Sequence, residues 1–265
     1  MAHGKKTKVA LIRGNSLNEW EGSLWNMMGS EFDVTGFCAR KNIYPIENLE
    51  YKVERLHTSS DNFVINNTYK YACGVFQKMY GLEKRLKNFD IAHSVEISYF
   101  YTLQAVRAKK KNPKLKVVAT VWDNSFGRYE YNYESGFGSI QKHWITKMRE
   151  YMYEVSKGAD LFLPVSDMSA SMLYDLGVSQ EKVKVLTPGV GREVESSHDI
   201  SRSISSAVLE KEYYLMVNRL VKEKGVYDVL YAWKMYTREK PSNNKVLLII
   251  GRGLEEKNMK RLVRE

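Results

Sequence analysis

Short apolar runs and helical patterns alternate along nearly all of the 265 residues. Lys8 to Ile12, Asp33 to Phe37, Asp90 to His93, Leu115 to Val121, Leu161 to Val165 and Lys182 to Leu186 are β-branched or apolar stretches bounded by turn residues. Each predicts a strand. Ser23 to Met28, the segment SVEISYFYTLQAVRAKKK, Ser139 to Ser156 and Asp167 to Leu176 space their apolar residues near the helical period and predict helices. Such alternation is the pattern of α/β layering around a mainly parallel sheet. REVESSHDISRSISSAVL, from residue 192, breaks the rhythm: it is polar, serine-rich and weakly periodic, and it predicts a linker. The pattern then restarts with strand Tyr213 to Val217, helix Val226 to Tyr236, turn EKPSNN, strand Val246 to Ile250, the glycine turn GRG, and helix Leu254 to Arg264. The expected domains are 1–192, a linker at 193–209, and a partial second domain at 210–265. Two strand–helix units make a poorly covered sheet. Exposed apolar surface is therefore expected there, to be covered by a dimer partner or a complementary chain.

Composition narrows the function class. Two cysteines, Cys38 and Cys73, form no disulfide framework and no metal spacing, which fits a reducing, cytoplasmic setting. The five histidines show no close pairing, no D-x-D triplet is present, and no metal is expected. The apolar run near the N-terminus is too short for a signal peptide or a membrane span. A net charge of +10 favours anionic partners: nucleic acid, acidic lipid or a phosphorylated small molecule. No zinc finger, RNP-like segment or G-x-x-G clamp supports specific nucleic-acid binding. The basic run RAKKKNPKLK reads as a helix end. The segment IQKHWITKMREYMYEV mixes aromatics and cations; it suits an anionic membrane surface or, more simply, packing on a core.

Several loops stand where open α/β sheets bind ligands, beyond the carboxyl ends of strands. NRLVKEKGV joins a strand to a helix and carries Arg219 and Lys224. A helix start with unpaired N–H groups plus two fixed cations can hold a diphosphate; a solvated charge run is the competing reading. IIGRG places Gly251 and Gly253 after the next strand, where glycine permits close backbone approach or simply makes a βα turn. Gly14 and Gly22 bracket the first βα loop. His93 ends a strand with Glu96 just beyond it, a pairing suited to acid–base work or to a structural role. VWDNSF sets Asp123 and Asn124 beside Trp122 after the strongest strand, as a sugar-binding cluster or a side-chain-stabilised turn.

YLMVNRLVKEKGVYDVLYAWKMY and KVLLIIGRGLEEKNMKRLVRE resemble the nucleotide-sugar half of the family 4 retaining glycosyltransferases. FDIAHSVEISYFYTLQAV, KVVATVWDNSF and GADLFLPVSDMSASMLYDLGVSQEKVKVLTPGVG resemble their first domain. The resemblance implies a GT-B fold of two Rossmann-like domains. It implies sugar transfer from a nucleoside diphosphate sugar with retention, no other cofactor and no required metal. Arg219 and Lys224 match the donor-phosphate pair, Gly14 the glycine loop near the reacting centre, and Gly251 and Gly253 the second glycine turn. His93 matches the first histidine of an H-x-H-like segment, while Val95 stands where the second often is.

Members continue to an E-x(7)-E motif beyond the glycine turn. Here the chain ends at Glu265, and Glu255 and Glu256 lie too close to that turn to replace it. The expectation is a retaining glycosyltransferase, or the larger fragment of one, with an unidentified acceptor that is lipid-linked or membrane-proximal. Its place would be cytoplasmic, peripheral at the inner membrane surface. The alternatives are a non-catalytic carbohydrate- or nucleotide-binding protein of degenerate GT-B fold, and a basic nucleic-acid-binding protein.

Overall fold

The computed structural model describes residues 6–73, 75–123, 138–189, 210–242 and 244–264. The chain divides into two compact units, Met1–Gly191 and Arg192–Glu265. The linker expected at 193–209 lies outside the described residues.

The first unit is built on β1 (Thr7–Gly14), β2 (Phe32–Ala39), β3 (Lys52–Leu56), β4 (Ile91–Val95), β5 (Lys116–Val121) and β6 (Leu161–Pro164). All pairings are parallel, in the order β3-β2-β1-β4-β5-β6. The helices are α1 (Glu19–Asn26), α2 (Phe63–Cys73), α3 (Leu82–Arg85), α4 (Phe100–Ala108), α5 (Gly138–Gly158) and α6 (Asp167–Asp175). A parallel sheet buries both faces, and β1 shows why its run is apolar throughout. Val9 and Leu11 join one cluster with Leu17, Val34 and Cys38. Ala10 and Ile12 point the other way, into the larger core with Phe37, Tyr101, Leu103 and Val155.

Local chemistry fixes the helix starts. Asn18 caps α1 by accepting the Glu21 N–H at 2.8 Å, and Glu19 and Glu21 suit the positive end of the helix. The helix therefore begins four residues before the predicted Ser23, and Gly22 is inside it rather than in the loop. There a Cβ would stand 2.6 Å from Leu49 Cδ2. Ser166 caps α6 in the same way, through the Ser169 N–H. The predicted strand Lys182 to Leu186 makes only an isolated bridge, Val183 to Phe162, with backbone bonds from Lys184 and Leu186 to β6. A 3-10 turn at Gln180–Lys182 takes its first residue.

The apolar face of α5 packs inward: Met148, Tyr151 and Met152 are buried in the main core. The basic run after α4 is partly neutralised by Arg107–Glu154 at 2.8 Å and Lys109–Asp160 at 2.7 Å. No helix among the described residues is long and apolar enough to cross a membrane.

The second unit has β7 (Tyr213–Val217) and β8 (Val246–Ile250), parallel and in register from Tyr213↔Val246 to Val217↔Ile250. With α7 (Val226–Glu239) and α8 (Glu256–Arg264) they form a strand–helix–strand–helix unit. Leu220, Val226, Leu230 and Met259 make its core with Met216, Leu247 and Ile249. The other sheet face carries Tyr213, Leu215, Val217 and Ile250, all exposed.

Candidate functional site

Strand order reverses between β1 and β4, so the crevice of the first sheet opens at their carboxyl ends. Gly14 closes β1 with φ +54. A Cβ there would meet Gln77 Oε1 at 1.9 Å and Tyr101 Cε1 at 2.7 Å, so neither the backbone angle nor the space admits a side chain. Gln77 Oε1 accepts the Asn15 N–H at 3.0 Å and holds the loop after Gly14.

Glu96 follows β4 with φ +58, and it and Gln77 are the non-glycine residues of positive φ among those described. A left-handed backbone at a non-glycine residue costs about 1 kcal/mol or more, and such strain collects at functional positions. The Glu96 backbone is clamped: its N–H donates to Thr120 O at 2.8 Å, and Thr102 Oγ1 donates to its carbonyl at 2.6 Å. Its side chain turns across to β5, where Oε1 accepts the N–H groups of Trp122 at 2.8 Å and Asp123 at 3.0 Å. The carboxyl is buried, and desolvation pushes its pKa up to about 7. The two backbone donors oppose that rise, whereas Asp123 and Glu21 add to it.

Arg13 and Glu21 form a mostly buried ion pair at 3.1 Å beneath the same loop. The remaining reach of Arg13 goes to two backbone carbonyls, Ile12 at 3.0 Å and His93 at 3.2 Å. Trp20 and Trp122 stand with ring centroids 6.0 Å apart.

His93 lies deeper than Glu96. Its Nε2 is 2.8 Å from Thr120 Oγ1, and its ring lies 5.2 Å from that of Trp25. Burial first, then the nearby Arg13 charge, hold its pKa well below the usual value, so the ring is neutral near pH 7. The structure thus brings Gly14, Glu96 and Asp123 together, and sets His93 behind them as a core imidazole. Asn124 lies outside the described residues. Arg13, Glu21, Trp20, Gln77 and Tyr101 had no motif to announce them; only the charge of Arg13 at the end of an apolar run hinted at a buried partner.

In the second unit the loops after β7 and β8 are knitted together. Asn218 N–H donates to Ile250 O at 3.1 Å, Leu220 N–H to Arg252 O at 2.9 Å, and Glu255 N–H to Leu220 O at 2.9 Å. The glycines make this approach possible. A Cβ on Gly251 would stand 1.9 Å from Asn218 O, and one on Gly253 2.3 Å from Leu220 O. Gly225, at φ +65, turns a 3-10 segment into α7, and no side chain caps that helix start. Arg219 and Lys224 are exposed on this loop, and neither forms an ion pair among the described residues. Glu255 accepts from the Tyr227 hydroxyl, and from Asn258 at 3.1 Å. No cluster of metal-ligating side chains is present among the described residues.

No family model matches the chain, and no curated protein matches it. Solved structures share its fold. Anabaena HepE in complex with UDP matches with a TM-score of 0.64 at 13% identity, over 97% of this chain and 65% of that one. Sucrose-phosphate synthase from Thermosynechococcus elongatus matches with a TM-score of 0.59 at 13% identity, over 98% and 67%. UDP-GlcNAc 2-epimerase from Methanocaldococcus jannaschii matches with a TM-score of 0.52 at 10% identity, over 97% and 68%. At these identities the likeness is one of fold: a Rossmann-like α/β unit followed by part of a second, as in GT-B architecture. The chain spans 65% of the length of HepE.

Proposed function

We propose that this chain is a nucleotide-sugar-dependent, retaining glycosyltransferase, or the larger part of one. The observation that carries the reading is the loop 218–225. It carries two exposed cations on the carboxyl side of a parallel strand pair: Arg219 just after β7, and Lys224 immediately before the uncapped Gly225 start of a 14-residue helix. Helix N–H groups and the helix dipole favour an anion there, and the Arg219 fork and Lys224 ammonium add full charges. The glycines at 251 and 253 keep the facing loop within reach of the same backbone. The UDP named for HepE, and the UDP and glucose named for a second HepE complex, are ligands consistent with this chemistry. In the proposal the diphosphate is held without a metal, and Glu96 and Asp123 belong to the sugar-receiving side.

Calorimetric titration of UDP into the full chain tests it. Charge-assisted hydrogen bonds to phosphate contribute about 1.5–3 kcal/mol each, so Arg219→Ala and Lys224→Ala should each weaken binding roughly ten- to hundredfold. Arg219→Lys should also weaken it, because a point charge cannot replace a planar fork. Equal dissociation constants for wild type and both alanine variants, or no binding by the wild type, would overturn this reading.

A further inference from the structure

The carboxyl edge of β1 and β4 carries chemistry opposite in sign to the loop at 218–225. We propose that it is a subsite for a neutral saccharide, in which Glu96 accepts a hydrogen bond from a sugar hydroxyl and the Trp20 and Trp122 indoles face the ring. This inference rests on the sugar-transfer reading, whose acceptor it narrows to a neutral, hydroxyl-rich group at this position.

Glycine loops at such edges commonly receive phosphate through backbone N–H groups. Here the surroundings argue against an anion. The one buried cation among the described residues, Arg13, is already occupied by Glu21 and two carbonyls. Among the described residues, the charged groups that act on Glu96 are Glu21 from α1 and Asp123 after β5, both carboxylates that raise its pKa. A phosphate would meet like charge in a poorly solvated place. A hydroxyl would not: an ionised carboxylate accepts from it strongly.

One side of the Glu96 carboxyl is ready for that contact. Oε1 is filled by two backbone donors, while Oε2 has no donor among the described residues and is not sealed in the interior. The Tyr101 hydroxyl is a second unanswered group: it is fully buried and has no hydrogen-bond partner. Its ring lies against Gly14, on the floor of the same crevice. Trp122 is joined to Glu96 through its backbone N–H, and Trp20, 55% exposed, stands with its ring beside the Trp122 ring. Carboxylate acceptors next to aromatic faces match the polar edge and apolar face of a pyranose ring.

The test follows the indole N–H resonances of the five tryptophans in the full chain. The probes are the methyl glycosides of glucose, galactose, mannose and N-acetylglucosamine, with inorganic phosphate as a separate arm. At least one glycoside should shift the Trp20 and Trp122 signals, and phosphate should not. Loss of the aromatic face in Trp20→Ala should weaken that glycoside about three- to tenfold. In Glu96→Gln binding should fall roughly tenfold at pH 8, where the wild-type carboxylate is ionised, and less at pH 6. Glycosides that shift neither indole, phosphate that shifts both, or unchanged affinity in Trp20→Ala would each overturn the proposal. Trp20 is largely exposed, so its substitution tests the aromatic face without disturbing the core. Titration of UDP into the same samples separates the two ideas. UDP binding without glycoside binding refutes the subsite alone, and the reverse refutes the diphosphate loop alone.

Discussion

Glu96 and His93 sit three residues apart and pull the stability of the first unit in opposite directions with pH. Near pH 4 Glu96 is protonated in folded and unfolded chains alike. As pH rises from about 4.5 to about 7 the unfolded chain loses that proton and the folded chain keeps it, so stability falls. The whole shift corresponds to roughly 3 kcal/mol, fully expressed above neutral pH. His93 works the other way, because a base with a depressed pKa resists protonation. Its contribution is complete above pH 6.5 and is lost as pH falls below that value. Glu96→Gln keeps an oxygen for the two backbone donors and removes only the first effect. The variant should exceed wild type in urea unfolding free energy at pH 8 by up to about 3 kcal/mol, with the gap closing towards pH 5. Identical pH profiles for the two proteins would mean that Glu96 is not a desolvated carboxyl. The sequence marked both residues as strand-end candidates. It did not tell them apart, because the distinction depends on Thr120, Trp25 and the Trp122 amide, which come from other elements.

At the scale of elements, the second unit shows how far local pattern reaches. The β7–α7–β8–α8 order, and the bounds of both strands, follow from apolar period and turn residues alone. Gly251 and Gly253 were also legible as a glycine turn, read either as a close backbone approach or as an ordinary βα turn. Their reason was not, since it is the backbone of Asn218 and Leu220 from the preceding loop. Gly253→Ala should therefore destabilise this unit by about 1–3 kcal/mol, because the obstructing atoms are main chain and cannot swing aside. Gly189→Ala, where a Cβ meets nothing within 4 Å, is the matched control. Hydrogen exchange of the 218–225 amides reads the difference; equal protection in both variants would show that the loops do not need this contact. In the first unit the pattern was less generous. β3 and α2 carry no run strong enough to predict. Three of the five residues of KVERL are charged, its pairing is with β2 alone, and the α2 start at Phe63–Ile65 is exposed and shows no inward stripe. Edge elements bury less, so their sequences are less constrained.

For the molecule as a whole, charge and apolar surface compete. Tyr213, Leu215, Val217 and Ile250 leave one face of the β7–β8 pair uncovered, and no other strand among the described residues pairs with either edge. Exposed apolar strand faces with open edges favour association. A net charge of +10 opposes it, because two copies repel over roughly 10 Å at 0.1 M salt. The balance gives a direction to the salt dependence. Raising salt screens the repulsion and leaves the apolar attraction in place, so self-association by sedimentation velocity should increase from 0.05 to 0.5 M sodium chloride. Binding to a polyanion by counterion release runs the other way, weakening with salt. Leu215→Lys places a charge in the middle of the uncovered face, and should lower association at every salt concentration while leaving UDP affinity unchanged. Association that falls as salt rises, or that ignores Leu215→Lys, would locate the contact elsewhere and make the basic surface, rather than the open sheet, its cause.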